Sequence, residues 1–107
     1  MTRAQKKKAL AVIRSDATAC TIYCNKKGQT CVIGGLLRKA GWSDKMLRAL
    51  RSLSIDFEVG EILLAKKTLL RVYGIGDKLA CGLQMINDCT NNLSRRRKAL
   101  TRAIDAA

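Results

Sequence analysis

Apolar residues return every three or four positions along most of this chain, which is the spacing of one face of an α-helix. The pattern predicts helices at residues 2–14, 31–40, 60–73, 77–88 and 91–106, with a further short helix beginning after Ser43. The residues expected to face inward are Ala9, Leu10, Val12, Ile13, Val32, Leu36, Leu37, Ala40, Met46, Leu47, Leu50, Leu53, Ile62, Leu63, Leu69, Leu70, Leu79, Leu83, Ile86, Leu93, Leu100 and Ile104. The chain is therefore predicted to be mainly helical.

The segment 18–33 has a different composition from the rest of the chain. It contains TACTIYC and QTCVI, two stretches rich in β-branched residues, on either side of Asn-Lys-Lys-Gly. Such a turn, with Gly28 supplying a positive φ, is typical of a β-hairpin. We expect a small hairpin there that packs on the helices, because an isolated one is barely stable.

Two stretches, 35–50 and 68–83, nearly repeat one another with an offset of 33 residues. The identical pairs are Leu36/Leu69, Leu37/Leu70, Arg38/Arg71, Gly41/Gly74, Asp44/Asp77, Lys45/Lys78 and Leu50/Leu83. Each copy reads as a helix, a turn at a left-handed glycine and a second helix. One such hairpin cannot cover its own apolar face, so the two copies should pack together. We predict a single domain, residues 1–107, that forms a compact bundle of five or six helices.

Charge points to the class of partner. The chain carries 21 Lys and Arg against 8 Asp and Glu, a net charge of +13. Residues 1–53 hold twelve of the basic residues and only two acidic ones. A polyanion would relieve the mutual repulsion of these charges, so nucleic acid is the first partner to consider. An acidic protein or nucleoprotein surface is the alternative, and the oligomeric state is left open.

The two repeats differ on their outward faces, and this difference locates a candidate site. The first copy places Lys45, Arg48 and Arg51 three residues apart, where the second has Lys78, Cys81 and Gln84. We expect an anion-binding face on the first copy alone. Its predicted residues are Arg38, Lys39, Lys45, Arg48 and Arg51, joined by Lys6, Lys7, Lys8, Arg95, Arg96, Arg97 and Lys98 if the two end helices lie side by side. The outline also resembles a DNA-reading helix-turn-helix, although Leu37 and Trp42 are large for their positions.

Catalytic chemistry is not expected. Histidine is absent, which excludes Ser–His and Cys–His pairs. The five cysteines lack the paired CxxC spacing of structural zinc, so no metal or cofactor is predicted. One distant alternative is a thiol-dependent enzyme using Cys31, whose pKa would fall at a helix N-terminus. An odd number of thiols, no secretory leader and no long apolar run predict a cytoplasmic protein without a membrane span.

The segment Thr30–Leu36, TCVIGGL, followed by the pair Asn87-Asp88 and a basic last helix, resembles a family of small bacterial and bacteriophage proteins. That family has a C-[apolar]-[I/L]-G-[A/G]-L segment and a later N-D pair. The resemblance implies a helical fold in a bacterial cell, phage-infected or not, and transfers no catalytic residue. It also suggests a second function: a phage-type, anti-defence inhibitor of a host complex such as a CRISPR-type effector.

Overall fold

The computed structural model describes residues 1–19, 23–51 and 53–107 of the chain. It contains six helices: α1 (Arg3–Ser15), α2 (Val32–Lys39), α3 (Asp44–Ala49), α4 (Gly60–Tyr73), α5 (Asp77–Cys89) and α6 (Leu93–Asp105). No strand occurs within these described residues. The prediction of a compact, mainly helical bundle is confirmed, and the five helices whose two ends were predicted lie within two residues of those limits.

Side-chain caps define where several helices begin. The Ser43 side chain accepts the Met46 N–H at the start of α3, and the Asn92 side chain accepts the Arg95 N–H at the start of α6. Thr2 and Gln5 form a reciprocal capping box at α1. Each cap satisfies an amide that the first turn leaves without a partner.

The two glycine turns confirm the repeat. Gly41 and Gly74 follow α2 and α4 with φ of 110° and 68°, the left-handed region that glycine enters at low cost. The second helices then diverge, because α3 has 6 residues and α5 has 13. Helix α3 packs chiefly on α2, whereas α5 packs against α2, α4 and α6. Only the first copy therefore leaves its second helix largely uncovered.

The predicted β-hairpin at 18–33 is wrong over the described residues, and residues 20–22 lie outside them. The turn forms, with Gly28 at φ 78° and the Asn25 side chain accepting the Lys27 and Gln29 amides. Tyr23 lies against α2, where a Cβ on Gly34 would stand 2.0 Å from the Tyr23 carbonyl oxygen. Two backbone hydrogen bonds of 3.0 Å still cross the turn, from the Ala19 N–H to the Thr30 carbonyl and from the Asn25 N–H to the Gln29 carbonyl. The described residues form no strand, and Gly34 marks a close approach of two backbones.

Helix α2 forms the centre of the molecule. Its residues 32–37 are all buried, and it packs against α1, α3, α4 and α5. The buried Asn87 accepts the Val32 N–H and donates to the Ala19 carbonyl, both at 2.9 Å. This one side chain joins α5 to the start of α2 and to the loop after α1.

Four predicted core residues are exposed instead: Met46, Leu63, Leu70 and Leu93. On α4 the buried face follows Ile62, Ala65 and Leu69, and Leu63 and Leu70 lie about 100° around the helix from it. The sequence placed leucines on two sides of α4, and only packing decided which side is covered.

The terminal helices lie side by side and run antiparallel. Near one end of the pair, Lys6 Nζ donates to the Asp105 carbonyl at 3.1 Å. At the other end, Arg97 Nη2 donates to the Asp16 carbonyl at 3.2 Å. Within the described residues, no helix has both the length and the apolar character that a membrane crossing requires.

Candidate functional site

The antiparallel pair of α1 and α6 presents a basic surface, here called the terminal-helix surface. It consists of six exposed residues: Arg3, Lys7 and Arg14 on α1, and Arg95, Lys98 and Arg102 on α6. Helix periodicity puts them opposite the buried faces, which follow Ala9, Val12 and Ile13 on α1 and Arg96, Leu100 and Ile104 on α6. Asp105 is the single acidic residue in these two helices. The end helices are adjacent, which brings the two terminal clusters to each other, and this surface is separate from the predicted face on α3.

Arg96, a predicted anion-binding residue, is not on this surface. It is 4% exposed, and its Nη1 and Nε donate to the carbonyls of Ala17 and Thr90 at 2.6 and 2.9 Å. Its neighbour Arg97 is half-buried and donates to Asp16. These two guanidinium groups fasten α6 to the end of α1. The run Arg-Arg-Arg-Lys looked uniform in sequence, but helix geometry turns Arg96 inward with Leu100.

Arg38, another predicted site residue, has charged partners of its own. Its Nη2 lies 2.9 Å from Asp44 Oδ1, its Nη1 lies 3.8 Å from Asp16 Oδ1, and it also donates to the Gly28 carbonyl at 2.7 Å. Arg38 thus joins the end of α1, the start of α3 and the loop 25–29. Two carboxylates already neutralise its charge, so little of it remains for an external anion.

A second basic region surrounds α3, here called the loop–α3 patch. Arg48 Nη2 donates to the Asn25 carbonyl at 3.2 Å, which holds the loop 25–29 against α3. The patch contains five exposed residues: Lys26, Lys27, Lys45, Arg48 and Arg51. Sequence reasoning found the last three and missed Lys26 and Lys27, because only the fold brings the loop to α3. Helix α3 spans 6 residues, about 9 Å, so it offers less than two turns to a DNA groove.

Lys39 lies apart from Lys45, Arg48 and Arg51, with which it was predicted to form one face. It lies with Lys7 and Lys8 on the rim of a groove of about 470 Å³ between α1, the end of α2 and the end of α4. The floor is formed by Ala4, Ala11, Val72 and Tyr73. We call this the lysine groove. Lys6 stands apart, because its Nζ donates to the Asp105 carbonyl.

No family model, curated protein or solved structure matches this chain. The resemblance to small bacterial and phage proteins therefore stays a prediction. Function has to be inferred from the chemistry of the surfaces just described.

The expected activation of Cys31 is wrong in direction. Cys31 does cap α2, and its Sγ accepts the Gly34 N–H at 3.4 Å, an interaction that favours the thiolate. Burial disfavours the charged form more strongly and raises the pKa of the Cys31 thiol to about 12. The thiol is therefore protonated at neutral pH. Cys31 packs in the core as a small apolar side chain.

Proposed function

We propose that this protein binds nucleic acid without catalysis, in the cytoplasm of a bacterial cell, through the terminal-helix surface. The observation that carries the proposal is the antiparallel contact of α1 with α6, which gathers basic residues from both ends of the chain. Six exposed cations lie on the outward faces of two helices that contain one carboxylate side chain. When such a surface binds phosphates, the nucleic acid releases counterions, and this release favours binding at low salt.

The aromatic residues favour contact with the phosphate backbone over stacking on bases. Of the four aromatic side chains, Tyr23, Trp42 and Tyr73 are buried, and Phe57 alone is exposed. A platform for single-stranded nucleic acid needs several exposed rings. We therefore propose a double-stranded ligand, bound with little dependence on base sequence.

A salt titration tests this proposal. If six phosphates are neutralised, the logarithm of the binding constant for random-sequence duplex DNA should fall with the logarithm of salt with a slope of about −5. That slope corresponds to a loss of about a thousandfold between 50 and 200 mM salt. Binding should be followed by fluorescence anisotropy of a labelled duplex, with duplex RNA of the same sequence measured in parallel.

Charge-reversal variants locate the surface. Lys98→Glu together with Arg102→Glu should weaken binding strongly and flatten the salt slope. Lys67→Glu together with Lys78→Glu, exposed residues on α4 and α5, should have a smaller effect that reflects net charge alone. The proposal would be contradicted if both double variants lost the same amount of duplex affinity, or if the wild type did not bind at low salt.

The loop–α3 patch is the second candidate contact, because five exposed cations converge there. Lys45→Glu with Arg48→Glu, tested in the same assay, measures its share. Affinity capture from bacterial lysate, with and without nuclease, distinguishes nucleic-acid binding from the alternative of a phage-type inhibitor. One stoichiometric protein that survives nuclease treatment would favour inhibition of a host complex, and loss of all partners would favour nucleic acid.

A further inference from the structure

A short acidic segment of this basic protein exposes apolar side chains. Residues 56–61 contain three of the eight acidic residues of the chain, Asp56, Glu58 and Glu61. Between them, Phe57 is 47% exposed and Val59 is 42% exposed. We call residues 56–59, with Glu61 in the first turn of α4, the acidic loop.

The acidic loop is anchored at its base. Ile55 is buried, and its N–H donates to Gln84 Oε1 at 2.9 Å. The Phe57 N–H donates to the Ser54 carbonyl at 3.1 Å, which closes a turn. Phe57 is therefore held outside the core by a fixed backbone, so little ordering would be needed on contact with a partner.

The lysine groove is complementary to this loop in charge and in polarity. Its rim carries Lys7, Lys8 and Lys39, and its floor is apolar. Its volume of about 470 Å³ is ample for one aromatic ring with a flanking side chain. An apolar floor with a cationic rim matches an apolar side chain flanked by carboxylates.

One molecule cannot fill its own groove. The acidic loop lies at the start of α4, whereas Val72 and Tyr73 line the groove at the end of the same helix. A helix of 14 residues separates the two sites by about 20 Å. A second copy of the chain meets no such restriction.

We propose that copies of this protein associate head to tail, with Phe57 of one molecule in the lysine groove of the next. The carboxylates of Asp56 and Glu58 then face the lysines of the rim. Because the two surfaces are different, a bound pair still offers one free loop, on one copy, and one free groove, on the other, so the contact can propagate beyond a dimer.

The contact is small and the copies repel one another, so the association is weak in free solution. A polyanion that binds neighbouring copies would neutralise that repulsion and raise their local concentration. Head-to-tail contact then becomes a source of cooperative binding along a nucleic acid. The inference goes beyond the proposed nucleic-acid function and is tested without any nucleic acid.

Complementary variants provide the test, measured by sedimentation velocity at about 150 mM salt, where the Debye length of about 8 Å screens repulsion between whole molecules. The wild-type average mass should rise with concentration past that of a dimer. Phe57→Ala and the double variant Lys8→Glu with Lys39→Glu should each weaken association at least about tenfold. Mixing the two variants should restore a 1:1 complex that grows no further, because one partner keeps its groove and the other its loop.

The controls are Leu70→Ala, which removes an apolar side chain that is even more exposed than Phe57, and Lys78→Glu, which reverses a charge outside the groove. Both should associate as the wild type does. A wild-type protein that stays monomeric to about 1 mM would overturn the proposal. So would a dimer that forms without further growth and resists the Phe57 and Lys8/Lys39 variants, as pairing through the exposed leucines of α4 would give. Neither result bears on the duplex titration.

Discussion

At the scale of single residues, identical amino acids have opposite roles that depend on their neighbours. Gly34 is a glycine because the Tyr23 carbonyl leaves no room for a side chain, whereas Gly82 has no heavy atom within 4 Å of an added Cβ. Arg96 is buried among backbone carbonyls, while the adjacent Arg95 is exposed. These pairs permit experiments in which the change is the same and the surroundings differ.

Replacing Gly34 and Gly82 by alanine should change stability in opposite directions. Gly34→Ala places a Cβ 2.0 Å from the Tyr23 oxygen, so backbone must move, and we expect a loss of about 3 kcal/mol or more. Gly82→Ala adds a good helix former in open space within α5 and should stabilise by about 0.5–1 kcal/mol. Urea unfolding of both variants measures the difference. A tolerated Gly34→Ala would show that the Tyr23 backbone does not lie against α2 as described.

At the scale of elements, the packing of α6 on α1 forms the proposed site and holds much of the bundle together. Arg96 lies on the buried face of α6 and supports this packing. Exposed on the opposite face of α6 are Arg95, Lys98 and Arg102. The same helix thus carries the buried, structural Arg96 directly after Arg95, which belongs to the proposed binding surface. Helix periodicity alone separates them, because a rotation of 100° moves a side chain from the core to the solvent.

Methionine substitutions should separate these two roles. Arg96→Met leaves the carbonyls of Ala17 and Thr90 without their donor, and we expect a loss of about 2–3 kcal/mol in the free energy of unfolding. Arg95→Met should leave stability within about 0.5 kcal/mol and weaken duplex binding severalfold. Thermal unfolding and the anisotropy assay, applied to both variants, give the answer. If Arg95→Met unfolds the protein and Arg96→Met leaves it stable, our assignment of the two arginines is reversed.

At the scale of the whole molecule, a net charge of +13 confined to a radius of gyration of 12.2 Å opposes folding. Only two carboxylates are drawn into the Arg38 cluster, and Lys66 lies 3.9 Å from Asp77. Most of the remaining cations are exposed. Their repulsion acts over distances comparable to the Debye length, so it depends on ionic strength.

Sodium chloride should therefore stabilise the folded protein. Between about 10 and 300 mM salt we expect a gain of about 1 kcal/mol, which raises the melting temperature by about 4–8 °C. Arg102→Glu, which lowers the net charge by two, should show a smaller gain. Scanning calorimetry across the salt series measures both. A melting temperature that falls with salt would mean that attractive ion pairs outweigh the repulsion.

The helices and most of their limits follow from local sequence patterns, because periodicity, glycine turns and capping residues act over a few neighbouring positions. The repeat and the excess of positive charge follow from the sequence for the same reason. Even at this level the prediction failed at 18–33, where β-branched composition favoured strands and the described residues form none.

Which basic residues share a surface depends on how the helices pack. The tertiary structure placed Arg38 between two carboxylates and turned Arg96 into the core, while Lys26 and Lys27 were carried to α3. It also placed Lys39 in the lysine groove with Lys7 and Lys8, apart from the cluster predicted around Lys45. Local pattern specifies which way a side chain points around its own helix. Which neighbour it then meets depends on contacts between segments far apart in the chain, and those are fixed only when the helices pack.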